Sequence, residues 1–399
     1  MISSTKLKKI ILSDKYNSII FEKGRSKNVY LVGGYVRDLL RGHHSRDRDY
    51  IMSGNVMFFV KEIKDRIGGT IVNFKKGGTT RIATRSGLTF DFSNPVGTLN
   101  EDLSKRDFTI NAIAWSPHEG IIDLFHGIED IQKKRVRVIK KENFVDDPHR
   151  MIRAYRFAAE LEGYVEKSTR KLINILNNKI KETSSERITL EIFQLLNQNY
   201  SYKHLKTAFH DGILNNIFLS TSKTLEQNIK QISLFEKLTL NELPSTFKVK
   251  LKEIISQNLT YKGFLCFALL VKNIRKVKYR DQKMKFSKKI DKRLNLIQRG
   301  IGEKIIKGKS FDIYLKTADA TVDILILKNK IDYLTDYKRF LRIWNKGIMS
   351  SEDVIRYSGN ISGENIGSII KEVKRAQYEG RVRSKDSGIK LVRELSDNI

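Results

Sequence analysis

Short apolar runs separated by glycine turns pattern the first 140 residues. Val29 to Val32 runs straight into Gly33-Gly34. Tyr50 to Met52, Thr70 to Phe74, Arg81 to Thr84 and Leu88 to Phe92 read as further strands, with Gly77-Gly78 and Gly87 between them. Tyr35 to Arg41 and Asn55 to Arg66 read as helices, so the spacing predicts a small mixed sheet domain. After Pro148 the period changes. Apolar residues recur at helical spacing through Met151, Ile152, Tyr155, Phe157 and Ala158, and again through Ile188, Ile192 and Leu195. All four prolines lie in the first 244 residues, so an all-helical remainder is expected from about residue 145. There is no fixed-period repeat.

Composition sharpens this picture. A chain of 399 residues has room for roughly two to four domains. Lys plus Arg total 75 against 45 for Asp plus Glu, a formal charge of +30, which points to a polyanionic partner and favours nucleic acid over anionic membrane. The single cysteine, Cys266, rules out a disulfide framework and a Cys-based metal site. The opening residues lack the apolar stretch of a secretory signal, and the longest apolar run, around Gly263 to Val271, is too short to span a bilayer. The expectation is a cytoplasmic protein with no membrane partner.

Three constellations carry chemistry. The first is Gly33-Gly34-Tyr35-Val36-Arg37-Asp38, followed by Asp47-Arg48-Asp49. Two glycines after a strand let a backbone turn approach a phosphate, the next helix offers free N–H groups, and Arg37 adds a forked donor. Asp47 and Asp49, two apart on a strand, project from one face, and adjacent carboxylates suit Mg²⁺ shared with substrate phosphates. Either piece alone is usually just a turn or a solvated strand edge; their order within twenty residues is the signal. The second constellation is Lys105-Arg106-Asp107-Phe108-Thr109-Ile110-Asn111, either a capped helix start or a grip on a nucleotide sugar by Asp107 and Asn111. The third is Asp146-Asp147-Pro148-His149-Arg150 with Arg153 and Arg156. There Asp147 suits a helix N-cap before Pro148 and equally a carboxylate facing the same edge as Arg150.

With Ser185-Glu186-Arg187-Ile188 and Glu191, these segments resemble the class II tRNA nucleotidyltransferase and bacterial poly(A) polymerase family, specifically from about Tyr30 to Leu195. Farther on, only Ile361-Ser362-Gly363-Glu364-Asn365 and the closing helices are similar to the family tail. The resemblance implies an α+β chain. A small polymerase-β-type sheet domain over residues 1–140 would lead into an extended all-α neck (141–200), body (201–310) and tail (311–399). It implies Asp47 and Asp49 as ligands of Mg²⁺, two ions in all, and Gly33, Gly34 and Arg37 at the triphosphate. Arg106, Asp107 and Asn111 would hold the incoming nucleotide, with Arg153 and Arg156 nearby. Asp146, Asp147 and Arg150 fall on the base-reading motif. The implied partners are a tRNA 3′ end and CTP, with ATP as a further candidate substrate.

Base reading by Asp147 and Arg150 also has a direct rationale. Cytosine and adenine both present an amino donor beside a ring-nitrogen acceptor, matched by a carboxylate and a guanidinium; uracil and guanine present the reverse. The chain departs from the family in three places. Asp146 replaces a glutamate, Lys105 replaces the first of two arginines, and the Ser93 to Asn100 connection is short. The last feature resembles members that add only two cytidines and leave the final adenosine to a separate A-adding enzyme. Asp91 is either a third carboxylate near the metals or a solvent-facing strand residue.

Weaker signals follow from the charge. The run holding Arg275, Lys276, Lys278 and Arg280, continuing to Lys289, reads as a solvated helix face or an RNA-backbone track, and Arg381 and Arg383 form a smaller candidate. Tyr279 and Tyr378 beside these charges suit base stacking or ordinary packing. His210-Asp211 lacks the converging ligands a metal needs. A poly(A) polymerase is an alternative within the same chemistry, and a non-catalytic RNA-binding protein on an inert fold is the alternative outside it. A small-molecule nucleotidyltransferase would need no basic helical half.

Overall fold

A computed structural model of the chain describes residues 3–74, 78–218, 220–241, 243–256, 258–274, 278–279, 282–283, 287–359 and 361–398. Contacts divide it into two compact units. The first comprises Met1–Glu236, Gln257–Leu259 and Ile274–Lys285, and the second Lys237–Ser256, Thr260–Asn273 and Phe286–Ile399. The expected divisions at 140 and 200 both fall inside the first unit.

Strands β1 (Tyr30–Val32), β2 (Asp47–Ile51), β3 (Thr70–Asn73), β4 (Thr80–Ala83), β5 (Thr89–Ser93), β6 (Ala114–Ser116) and β7 (Gly120–Ile122) form one sheet in the order β3-β4-β5-β2-β1-β6-β7. Only the β2–β5 pair is parallel, with Asp49 opposite Asp91. The strands expected from the apolar runs are all present; β2 begins earlier than its apolar residues suggest, because its first half is charged. Of the expected Gly77-Gly78 turn, Gly77 lies outside the described residues.

Alternation along β2 sorts its side chains to two faces. Arg48 and Tyr50 point to the side covered by the helices α1 (Ser4–Ser13) and α2 (Lys15–Lys23), joined there after α3 (Gly34–Leu40) by α4 (Val56–Ile67). Tyr50 stacks on Phe92 with ring centroids 5.0 Å apart, and its hydroxyl donates to Asn17 Oδ1 at 2.5 Å. Arg48 is buried among the rings of Tyr16, Tyr35 and Phe90 and reaches Asp14 at 2.7 Å. Asp14 also caps α2, accepting from the backbone N–H groups of Tyr16 and Asn17. Asp47, Asp49 and Ile51 therefore face the other way. There Ile51 packs with Val32, Leu103, Ala112 and Ala114.

The sheet passes through α5 (Leu99–Ser104), α6 (Gly127–Gln132) and α7 (Glu142–Asp146) to a helical layer. That layer is built by α8 (Arg150–Glu160), α9 (Lys167–Leu176), α10 (Ser185–Asn197) and α11 (Ser201–His210). Helix α8 buries Met151, Ile152, Ala154, Tyr155 and Ala158 against α10 and α11. Its arginines at 150, 153 and 156 share the remaining stripe, as their spacing of three requires.

The region after residue 145 is mostly but not wholly helical. Tyr164–Val165 adds a parallel two-residue strand beside Arg135–Val136, entered through Gly163, where a Cβ would collide with the carbonyl of Lys134. Ile254–Ser256 pairs with Leu259–Thr260, and Lys278–Tyr279 with Gln282–Lys283. The basic run from 275 to 289 is thus not one helix face. Within its described part Lys278–Tyr279 pairs antiparallel with Gln282–Lys283, and Ser287 caps a helix over Lys288–Gly300. So many like charges on adjacent turns disfavour a helix, since like pairs at i,i+4 repel.

The second unit centres on buried carboxylates. Asp336 accepts from the hydroxyls of Tyr314 (3.1 Å) and Tyr378 (2.6 Å), so Tyr378 is a packing residue rather than a stacking platform. Asp323 holds Arg293 through two hydrogen bonds of 2.6 and 2.7 Å. Cys266 is buried. No helix among the described residues is long and apolar enough to cross a membrane.

Candidate nucleotidyl-transfer site

A cleft of about 430 Å³ opens in the first unit where the sheet meets α8. It is lined by Gly33, Gly34, Arg37, Asp47, Asp49, Arg106, Asp107, Asn111, Asp147, Arg150, Arg153 and Arg156, twelve of the thirteen residues expected at a nucleotide or metal. The thirteenth, Asp146, ends α7 as an exposed residue outside the lining. The backbone leaves the helix at Asp147 (φ −142°, ψ 89°), so the two carboxylates do not follow one helical face.

The acidic edge is built by β2. Asp47 accepts a short hydrogen bond from Thr89 on the neighbouring β5. Asp49 is largely buried, which pushes its carboxyl up; Arg106 opposes that shift, and Asp91 and Asp47 add to it. Asp91 is the third carboxylate here, but both its oxygens accept from Arg81 at 2.6 Å, so it is neither free nor simply solvent-facing. Among the described residues, no group of three or more His, Cys, Asp or Glu side chains converges as a ready-made metal cage. Two carboxylates on one edge, one held in a repulsive environment, nevertheless fit a hard cation that takes its remaining oxygens from water and substrate.

Gly33 sits directly above this edge. Its φ of +74° lies in the region side chains avoid, and a Cβ there would come 2.7 Å from Arg106 Nη1 and 3.5 Å from Asp49 Oδ2. Helix α3 starts at once, with no side chain capping its N-terminus. Arg37 is buried and already engaged, to Asp38 at 2.9 Å and to Asn111 Oδ1 at 2.6 Å. Asn111 donates in turn to Asp107 Oδ1 at 2.8 Å. That bond brings the two together without a capped α-helix: Asp107 precedes the extended Phe108, and only Asn111 belongs to the single 3₁₀ turn Thr109–Asn111. Burial pushes the Asp107 carboxyl up, yet Arg153, Asn111, the Phe108 N–H and Arg150 outweigh it and hold it below the usual range. Arg106 carries a buried Nε with no hydrogen-bond partner among the described residues.

On the opposite wall, helix α8 begins at Arg150, so Asp147 does not cap it. The Asp147 carboxylate accepts instead from both terminal nitrogens of Arg187, at 3.1 and 2.8 Å, and stands 3.9 Å from Arg150. Arg150 is steadied by the carbonyls of Lys105 (2.8 Å) and Asn143 (3.3 Å). Behind them Glu191 meets His149 Nε2 (3.2 Å), Arg153 (3.4 Å) and Arg156 (2.5 Å). Burial raises its carboxyl, but the His149 hydrogen bond and the two arginines bring it down to about 2. Arg187 and Glu191 were visible in the sequence only as members of a motif block. Their side-chain partners lie 35 to 42 positions away and leave no local spacing to read.

The structure places the expected RNA-contacting residues only in part. Arg275, Lys276 and Arg280 lie outside the described residues, and Lys278 is placed only as a strand position. In the second unit Arg381 is paired with Glu372 and Glu379 at 2.9 Å, while Arg383 donates to the Gly380 carbonyl. Asp211 accepts from Tyr155 and Arg170, a structural role with no metal character.

The sequence profile described as "Poly A polymerase head domain" matches residues 29–137, and "Probable RNA and SrmB-binding site of polymerase A" matches 164–225. A CC-adding tRNA nucleotidyltransferase of Synechocystis sp. is 35% identical over 193 residues, 47% of this chain and 46% of that protein. An A-adding tRNA nucleotidyltransferase of Geobacter sulfurreducens is 26% identical over 407 residues, 93% of this chain and 45% of that protein. The chain thus spans about half the length of these curated relatives. A solved Thermotoga maritima CCA-adding enzyme complexed with tRNA shares the fold, with a TM-score of 0.73 at 20% identity over 99% of this chain and 98% of that one.

Proposed function

We propose that this chain, which belongs to the tRNA nucleotidyltransferase and poly(A) polymerase family, transfers nucleotides from CTP to the 3′ end of tRNA. The observation that carries this reading is the meeting of three features in one cleft: the Asp47–Asp49 edge, the Gly33–Gly34 turn and the Asp147–Arg150 pair. In the reaction the terminal 3′-oxygen of the RNA bonds to the α-phosphorus of the nucleotide. The bond from that phosphorus to the β-phosphate oxygen breaks, pyrophosphate leaves, and the hydroxyl proton is lost. Asp47 and Asp49 would hold Mg²⁺, two ions in the fullest form, supplying activation of the hydroxyl and charge neutralisation on the leaving group.

The chain's own residues contribute positioning and electrostatics. Gly33 and Gly34 give the triphosphate an approach that side chains would block. Arg106, with an unpartnered buried nitrogen, offers a donor to the incoming nucleotide. The Asp107–Asn111 pair is fixed by Arg153 and Arg37 and stands ready for the sugar. A carboxylate has roughly four lone-pair directions, so Asp147 can keep Arg187 and still accept from the amino group of cytosine or adenine. Residues 141–200 would act as the base-reading neck, with body (201–310) and tail (311–399) for RNA.

Addition of CC without A is the finer reading. Its support is the five-residue link between β5 and α5, closed by the Thr98–Glu101 capping box, and the resemblance to a relative named for CC addition. A tRNA lacking its 3′ end, incubated with CTP and then ATP, should gain two cytidines and stop; efficient A addition overturns that part. Asp47→Ala and Asp49→Ala should each abolish incorporation while tRNA still binds, and activity in either variant removes the proposed metal ligands. The names of both matched profiles favour poly(A) synthesis as a second reading, which long A-tailed products on unstructured RNA would establish.

A further inference from the structure

The larger cavity of the first unit lies apart from the cleft just described. It encloses about 670 Å³ between Tyr164–Val165 and the start of α11. Two aromatic rings stand at it unusually bare for their size: Tyr164 is 51% exposed and Tyr200 44%. Tyr200 is held in the left-handed region, φ 54°, as α11 begins. Lys167 and Lys203 are exposed on its lining, and neither has an ion-pair partner among the described residues. Lys203 Nζ lies 4.7 Å from the centre of the Tyr200 ring, so cation and ring present one continuous surface.

The other charges nearby are spent. Arg170 is bound to Asp211, the rim carboxylate of Glu162 faces Lys134 at 3.8 Å, and the N-terminus of α11 is occupied by Glu236, which accepts from the Ser201 and Tyr202 N–H groups. The part-buried His204 and the exposed Asn199 also line the cavity, with no hydrogen-bond partner for their side chains among the described residues. Burial and the neighbouring Lys203 push the His204 imidazole down to about 4, so at neutral pH it is an uncharged donor and acceptor. Bare aromatic faces, two unpaired ammonium groups and neutral hydrogen-bonding groups match a flat heterocycle carrying a phosphate.

We propose that this cavity takes one unpaired nucleotide of the RNA substrate, its base against Tyr164 and Tyr200 and its phosphate on Lys167 and Lys203. The inference rests on the reading of the chain as an enzyme acting on RNA, and adds a subsite that the transfer chemistry does not use. The test measures affinity of the full chain for labelled tRNA lacking its 3′ end, by fluorescence anisotropy across a salt series. Tyr164→Leu should weaken binding about five-fold or more, the scale of one lost base stack, with the salt slope unchanged. Tyr164→Trp should restore it. The double change Lys167→Ala with Lys203→Ala should weaken binding and lower the salt slope by about one, as loss of one phosphate contact requires. CTP affinity without RNA should stay at the wild-type value in each variant. RNA affinity within about two-fold of wild type in both Tyr164→Leu and the double variant overturns the proposal, since a lost stack or phosphate contact is larger than that. If free CMP or AMP binds wild type but not the variants while RNA affinity is unaffected, the cavity is a free-nucleotide site and the proposal is overturned. Wild-type chain that neither binds nor extends tRNA would instead sink the parent reading.

Discussion

Replacing Glu191 by glutamine tests how the base-reading wall is held together. The substitution keeps the shape of the side chain but removes the carboxylate that His149, Arg153 and Arg156 share, leaving Arg153 its Asp107 and Arg156 its Glu160. Lowering a buried carboxyl from its ordinary 4.5 to about 2 corresponds to about 3 kcal/mol of stability. Removing one partner of a buried ion pair costs about 3–5 kcal/mol when the other charge is left uncompensated; the retained Asp107 and Glu160 contacts place this case at the lower end of that range. The sign follows from the direction of the shift. A depressed carboxyl stabilises fully above its unfolded value of 4.5 and loses that contribution as pH falls through about 2. The gap between wild type and Glu191→Gln should therefore be about 3 kcal/mol at neutral pH and about half of that by pH 3. Urea unfolding read from Trp115, in a Trp344→Phe background, reports on the first unit alone. A gap below about 1 kcal/mol at pH 7, or one that widens on acidification, refutes the reasoning.

Three further outcomes rest on contacts in the same unit. Gly33→Ala places a Cβ 2.7 Å from Arg106 Nη1 at a φ of +74°, a backbone strain of about 1–3 kcal/mol; CTP affinity by calorimetry should fall about ten-fold, and an unchanged affinity removes Gly33 from the triphosphate seat. Arg187→Ala frees the Asp147 carboxylate it now holds through two bonds; preference for C over U, measured as the ratio of kcat/KM values, should drop several-fold, and an unchanged ratio would mean Arg187 does not orient the reader. Asp14→Asn retains a good helix cap but leaves Arg48 buried without its counter-charge. It should cost about 2 kcal/mol or more in the same Trp115 unfolding assay, whereas a near-neutral result would show that the surrounding rings alone satisfy Arg48.

Much of the cleft was legible because its elements are encoded by short periods. Asp47 and Asp49 fall on one side of β2 because side chains alternate, and Arg150, Arg153 and Arg156 form one stripe because a helix turns in 3.6 residues. Gly33 could be picked out because a strand that meets two glycines before a helix needs a backbone that side chains forbid. Where the reading departed from the structure, a rival local rule or a distant partner won. Asp147 looked like a cap for the helix after Pro148, and it pairs with Arg187 on α10 instead. Asp146 belongs to the same motif yet lies outside the cleft lining, since the chain leaves the helix between it and Asp147. The basic run to Lys289 looked like one helix face until the Lys278–Tyr279 and Gln282–Lys283 pair broke it.

By itself, then, the chain's order of residues determined the local shapes: a charged strand beside a glycine turn, an arginine-striped helix, and an excess of cations suited to a polyanion. Folding in three dimensions decided which charges are paired and which stay available. Asp91 is tied by Arg81, Glu191 gathers three cationic or imidazole groups, and Lys167 and Lys203 have no ion-pair partner among the described residues. The physical reason is that periodicity acts over a few residues along the backbone, whereas Coulomb attraction and desolvation depend only on separation and burial in space.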